Sequence, residues 1–239
     1  MTQPNLALAG ALPATVAIVG GNGQIARQLA TRLVADGVTV RSLIRNADQT
    51  PSVSELGAEP VVCDVESATP AEIADAFGGA EAVVFAAGAG TGSGSARKWT
   101  VDRDGAVKSA DAAILSGAMR FVQISFIGAE APTASDDEVF AAYWDAKREA
   151  DEALKRVALD WTIVKPGGLT DDPVTGTGVV SFAPMSRGVK TRRADVAELI
   201  RLVLADARTV WKEVAVAEGQ APLDDAITSA FEADASATA

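Results

Sequence analysis

The chain has no histidine in 239 residues, one cysteine (Cys63), one tyrosine (Tyr143) and only 5% aromatic residues. Without histidine, imidazole general-base chemistry and His-ligated zinc are excluded, and no metal site is expected. A lone cysteine rules out an intrachain disulfide and suits a reducing cytosol. Basic side chains are also scarce: 21 Lys and Arg stand against 32 Asp and Glu, a net charge of −11. That balance argues against nucleic acid as a partner, because a phosphate backbone calls for clustered Lys and Arg. It leaves room for a nucleotide, which needs only one local positive pocket. No apolar run approaches the ~20 residues of a membrane helix. Leu6–Leu12 lacks a basic flank and a strand follows almost at once, so residues 1–14 read as a short arm rather than a signal peptide. A cytoplasmic protein with no membrane partner is expected.

What is present is enough apolar residue, 48%, to bury a sizeable core, with 22% charged; these grounds predict one domain over residues 1–239 rather than two, with a frayed tail over 232–239. The most informative stretch is Val16-Ala17-Ile18-Val19-Gly20-Gly21-Asn22-Gly23-Gln24-Ile25-Ala26. A β-branched run breaks into a glycine turn and then into an amphipathic helix, with Ile25, Leu29, Leu33 and Val34 at helical spacing. Strand, tight turn and helix in that order aim the helix's unpaired N–H groups at a pyrophosphate. Gly20 permits the turn, Gly23 lets backbone approach phosphate, and the small Ala26 lets helix and strand pack closely. Asn22, Gln24 and Ile25 complete the candidate dinucleotide turn.

Further strands are expected at 38–44, 60–63, 81–85, 120–125 and 161–165, alternating with helices. One helix opens on a capping box, Thr69-Pro70-Ala71-Glu72, and a long one spans about 138–156. That rhythm predicts a Rossmann-type doubly wound parallel sheet. The segment from Pro166 to Arg193 is rich in Pro and Gly and reads as mostly loop with one short strand. It forms either a small C-terminal wall over a substrate cleft or an uncommitted surface loop. Asp195 is expected to cap a last long helix, followed by a strand at 211–216 and a helix at 222–231. A homodimer stays open, since no apolar patch that would form one is identifiable from the sequence.

The second strand ends Leu43-Ile44-Arg45-Asn46, with no carboxylate until Asp48. An acid there would accept from the ribose 2′-hydroxyl of NAD, whereas a guanidinium pairs with a 2′-phosphate. NADP(H) is therefore the expected cofactor, with Arg45 its reader in preference to Arg41. Asp64, with Val65 beside it, closes the third strand, where it either receives the adenine amino group or is a turn residue.

The chain resembles the atypical short-chain dehydrogenase/reductase superfamily, specifically the small NAD(P)H-binding proteins grouped with NmrA-like and flavin/biliverdin-reductase-like folds. The resemblance runs from about Thr15 to Ile227. It rests on the glycine turn, Leu43-Ile44-Arg45, Val84–Gly88, Tyr143-Trp144-Asp145-Ala146-Lys147, Ile163–Leu169 and Arg193–Ala197. It implies that Ala86, Ala87 and Gly88 line the adenosine and pyrophosphate, and that Pro166, Gly167, Gly168 and Leu169 wrap the nicotinamide end. Tyr143 and Lys147 sit four apart on one helix face. The ammonium is expected to lower the phenol's pKa, so that Tyr143 passes a proton to a carbonyl while Lys147 assists or binds the nicotinamide ribose. Such reductases carry a Ser-Ser step after the fifth strand. Here Ser125 is followed by Phe126, so phenylalanine occupies the position of the second serine, which polarises the carbonyl in such reductases, and Ser125 takes that role only if the strand end is shifted by one residue. The implied function is an NADP(H)-dependent oxidoreductase acting on a small-molecule substrate, a carbonyl, quinone or flavin-like acceptor. The alternative is a non-catalytic NADP(H)-binding regulator with a protein partner. Sugar-nucleotide epimerisation is disfavoured by the short segment after the sixth strand.

Overall fold

In the computed structural model, which describes residues 9–90, 92–133 and 135–238, period-two burial organises the sheet. On β1 (Thr15–Val19), Val16 and Ile18 face one apolar layer while Ala17 and Val19 face the other. β4 (Ala82–Phe85) divides in the same way, with Val84 on the first face and Val83 and Phe85 on the second. A sheet apolar on both faces must be covered twice. The first face takes α1 (Gln24–Ala35), α7 (Arg193–Ala205) and α8 (Leu223–Thr238), through Leu29, Leu33, Ile200, Val203 and Ile227. The second takes α3 (Pro70–Phe77), α5 (Asp104–Ser116) and α6 (Glu138–Leu154), through Ile73, Phe77, Ala110, Ala113 and Leu154.

The remaining strands are β2 (Thr39–Ile44), β3 (Glu59–Val62), β5 (Arg120–Ile124), β6 (Asp160–Pro166), β7 (Gly168–Thr170), β8 (Thr177–Ser181), β9 (Lys190–Arg192) and β10 (Lys212–Pro222). Among the described residues the main sheet has eight strands in the order β3-β2-β1-β4-β5-β6-β10-β8, with only the β10–β8 pair antiparallel. This is the Rossmann-like doubly wound α/β fold. Between β3 and β4 the chain crosses from one side of β1 to the other, so the connections leaving β1 and β4 part company. The crevice they leave at the carboxyl ends of the strands is where such sheets bind ligands. Short α2 (Thr50–Ser54) and α4 (Ser95–Arg97) flank it.

Local signals behaved as their chemistry requires at α3. Thr69 Oγ accepts from the Glu72 N–H, Glu72 accepts from the Thr69 N–H, and Pro70 opens the helix. Three expectations are corrected. The 166–193 segment is mostly loop as expected, but it holds three short strands rather than one, β7, β8 and β9, because β8 hydrogen-bonds to β10 and β7 to β9. Asp195 does not cap α7, which starts at Arg193; its carboxylate instead accepts from the N–H groups of Thr175 and Gly176 and the Thr175 hydroxyl. The last helix passes Phe231 and runs to Thr238, across residues read as a tail, with Asp234 paired to Lys212 at 2.6 Å. Residues 1–8 of the N-terminal arm, and Ala239, lie outside the described residues.

Candidate functional site

Two clefts meet at the carboxyl ends of β1, β4 and β5. The first, of about 350 Å³, is lined by Gly20, Asn22, Gly23, Arg45, Asp64, Val65, Ala86, Ala87 and Gly88. The second, of about 540 Å³, shares Ala86, Ala87 and Gly88 and adds Ile25, Ser125, Tyr143, Lys147 and Leu169. The shared wall makes them one groove with two ends.

At the first end, Gly20 adopts φ +78°, and a Cβ there would lie 2.6 Å from Ala87 Cα. Gly21 is as constrained: its Cβ would stand 2.5 Å from Ser42 Cβ. The turn is thus pressed between β4 and β2, and at Gly20 and Gly23 it offers bare backbone to the groove. Gly23 caps α1 without a side-chain hydrogen bond, and no acid sits in the helix's first turn, so the positive end of the helix is left to a ligand. Gln24 opens that helix. Asn22 Oδ1 accepts from Ser52 Oγ at 2.8 Å, which fixes the turn to α2. Arg45 follows β2; its N–H donates to Gln49 Oε1 at 3.1 Å, and its exposed guanidinium has no ion-pair partner among the described residues. Arg41, by contrast, is spent on Glu59 and the Ala76 carbonyl. Asp64 is both a lining and a turn residue, since its Oδ1 accepts from the Glu66 N–H at 3.0 Å.

The second end is built on α6. Tyr143 stacks on Phe126 at 5.3 Å between centroids, with Phe140 at 6.0 Å. Lys147 is buried, 5.7 Å from the Phe85 ring centroid, and its charge acts on Asp151. The expected lowering of the Tyr143 pKa is corrected here. Burial pushes the phenol well above its ordinary value, and the carboxylates of Asp102 and Asp151 push it the same way. The phenol is held protonated. Ser125 lines the cleft directly after β5, with Phe126 packed behind Tyr143, and its hydroxyl donates to Asp151 Oδ2 at 2.6 Å.

The chain as a whole is similar to known proteins. The profile of the family described as NAD(P)H-binding matches residues 20–207. The chain belongs to that family. It is 35% identical to the uncharacterized sugar epimerase YhfK of Bacillus subtilis, over 89% of this chain and 98% of that one. A Bacillus halodurans structure named for an NAD-dependent epimerase/dehydratase superposes with a TM-score of 0.84 at 34% identity, covering 90% of this chain and 99% of that one. The oxidoreductase ylbE of Lactococcus lactis follows, with a TM-score of 0.79 at 27% identity, covering 91% and 97%.

Within this family member, the candidates after β6 divide. Leu169 reaches the second cleft, whereas the N–H of Gly167 donates to Thr191 Oγ and that of Gly168 to the Val189 carbonyl. The Pro166 carbonyl accepts from the Ile127 N–H. Sequence reasoning missed Arg97, Lys98 and Asp102. Arg97 lines the first cleft, held by Glu66 at 2.8 Å. Lys98 and Asp102 line the second from a π-helical segment, Lys98–Arg103, that leads into α5. Lys98 Nζ donates to the Gly90 carbonyl and lies 5.7 Å from the Tyr143 ring centroid. Asp102 accepts from the Ala89 N–H at 3.1 Å. Their four-residue spacing was visible, but the sequence carries no local signal for a π register.

Among the described residues no helix is long and apolar enough to cross a membrane, and no cluster of three or more His, Cys, Asp or Glu could hold a metal ion.

Proposed function

We propose that the protein is an NADP(H)-dependent oxidoreductase of the atypical short-chain dehydrogenase/reductase type, reducing a small carbonyl, quinone or flavin-like acceptor. The observation that carries this reading is the continuity of the groove: the glycine turn and Arg45 stand at one end, and Ser125, Tyr143 and Lys147 at the other. The cradle fits a dinucleotide, because Gly20 and Gly23 present bare backbone to the cleft and the start of α1 is left uncapped. The N–H groups opening α1 would hold the pyrophosphate, Arg45 the 2′-phosphate, and Asp64 the adenine amino group. When bound, the reduced nicotinamide supplies hydride.

The chain's own chemistry is proton supply. Tyr143 keeps its proton because burial and two nearby carboxylates disfavour the phenolate. It therefore serves as a hydrogen-bond donor to an acceptor oxygen and releases its proton only as negative charge develops there. Ile25, Val139, Phe140 and Leu169 give the cleft an apolar wall suited to a flat acceptor. Epimerase names among the relatives favour a second use of the same cofactor. Yet a phenol held protonated is a poor base for it, and the segment after β6 that reaches the cleft, through Leu169, is short.

A panel of quinones, aldehydes and flavins tests the reading. At least one should cause acceptor-dependent loss of the NADPH absorbance band, and Tyr143→Phe should slow carbonyl turnover by roughly 10²–10⁴-fold while NADPH affinity survives. One observation favours the non-catalytic regulator instead: Ser125 commits its only hydroxyl proton to Asp151, and Phe126 beside it offers no donor. Tight NADPH binding with no turnover across the panel would select that reading.

A further inference from the structure

Tyr143, Lys147 and Asp151 recur every four residues and form one ridge of α6. Asp151 is only 3% exposed, and its carboxylate receives one donor on each oxygen: Ser125 Oγ on Oδ2 at 2.6 Å and Gln123 Nε2 on Oδ1 at 2.7 Å. Both donors come from the end of β5. The charges acting on Asp151 are Lys147 from its own helix and Lys165 from β6, the latter also held by Glu130 and Glu213. Asp102, across the cleft, acts on Tyr143 alongside Asp151. Burial pushes the Asp151 carboxyl above the ordinary range against the pull of Lys147, Ser125, Lys165 and Gln123.

A serine hydroxyl has one proton to give. While Asp151 is ionised that proton lies on Oδ2, and Ser125 offers the cleft only lone pairs. A carbonyl oxygen needs a donor. With Asp151 protonated the bond reverses: the acid O–H donates to Ser125 Oγ, and the serine proton is free to turn into the cleft that Ser125 lines.

We propose that Asp151 is a positioning residue whose proton sets Ser125 as donor or acceptor, so that one buried carboxyl gates carbonyl reduction. The inference rests on the oxidoreductase reading above. In that reaction hydride from the reduced dinucleotide bonds to the carbonyl carbon, the C=O π pair moves onto oxygen, and Tyr143 supplies the proton. The dinucleotide is oxidised and the carbonyl reduced, while Asp151 and Ser125 only reorient their shared hydrogen bond. A flavin-like acceptor, which takes hydride without carbonyl protonation, bypasses the gate.

Asp151→Asn tests it. Gln123 Nε2 holds the amide oxygen, which leaves Asn Nδ2 to donate to Ser125 Oγ, permanently the arrangement of the acid form. For a carbonyl acceptor, kcat/KM of the unmutated protein should fall about tenfold per pH unit above the titration of Asp151. Asp151→Asn should remove that limb, and the flavin profile should lack it in both proteins. Difference infrared spectra of the cofactor-free protein give an independent reading. A protonated-carboxyl band should be absent in Asp151→Asn and persist to higher pH in Ser125→Ala, where the carboxylate has lost a donor. Identical carbonyl profiles in the unmutated protein and Asp151→Asn, or a carboxyl band indifferent to Ser125→Ala, would overturn the gate. If no acceptor is reduced, a Ser125-sensitive band still upholds the proton exchange, and it is the oxidoreductase reading that falls.

Discussion

Replacing Arg45 by alanine should erase most of the preference for NADPH over NADH. The guanidinium projects beside the first cleft without an ion-pair partner among the described residues, and Glu66 shares its surroundings only through charge. A charge-assisted hydrogen bond contributes about 1.5–3 kcal/mol. Because Arg45 is exposed, screening places the effect toward the lower end. Since ~1.4 kcal/mol corresponds to tenfold in affinity, the unmutated protein should favour NADPH by about an order of magnitude, less as salt is raised. Arg97 cannot take over, because Glu66 and Thr100 hold its environment together, with Arg97 Nη2 2.8 Å from Glu66 and Thr100 Oγ also on Glu66. Calorimetric titration of both proteins with both dinucleotides checks this: Arg45→Ala should weaken NADPH and leave NADH unchanged. Equal affinities in the unmutated protein, or a preference that outlives Arg45, would refute the assignment.

Two further outcomes follow from packing and from the buried ion cluster. Gly20→Ala places a Cβ in a left-handed backbone, about 1–2 kcal/mol of strain, and 2.6 Å from Ala87 Cα, where neither strand end can yield cheaply. Thermal melts should show a lower Tm and titration a loss of NADPH affinity; binding as tight as in the unmutated protein would contradict the cradle. For Glu213, burial raises the carboxyl pKa, but Lys155 and Lys165 outweigh it and hold the group below its ordinary value. A depressed carboxylate stabilises the fold above the ordinary glutamate range and loses that contribution as pH falls through its lowered value. Glu213→Gln should therefore cost roughly 1.5–3 kcal/mol at neutral pH, and urea titrations should show its difference from the unmutated protein shrinking below about pH 4.5.

Most of the fold was legible because its signals are local. The β1–turn–α1 unit, the capping box at Thr69 and the alternation of strands and helices each need only a few neighbouring residues. The 166–193 segment was legible as loop but not for all of its strands, since β7 and β8 are strands by virtue of distant partners, β9 and β10. Asp195 obeyed no capping rule for the same reason: Thr175 and Gly176, twenty and nineteen residues upstream, supply its donors. At the site, spacing rightly put Tyr143 and Lys147 on one face of the helix, but the direction of the phenol's shift expected from it was the opposite of the one found. Asp102 and the burial that dominates that shift come from other elements. Asp151 stood in plain sight four residues after Lys147, yet only the end of β5 gives it Ser125 and Gln123.

The most direct measurement is isotope transfer from NADPH deuterated at nicotinamide C4, with protein in excess and the acceptor panel as before, read by mass spectrometry of the products. Hydride transfer in this groove requires deuterium to leave nicotinamide C4: a reduced carbonyl keeps it on carbon, more slowly with Tyr143→Phe, whereas a reduced quinone or flavin exchanges it with water from oxygen or nitrogen and is read from the label lost by the oxidised cofactor. Deuterium retained on a tightly bound cofactor in every case would contradict it.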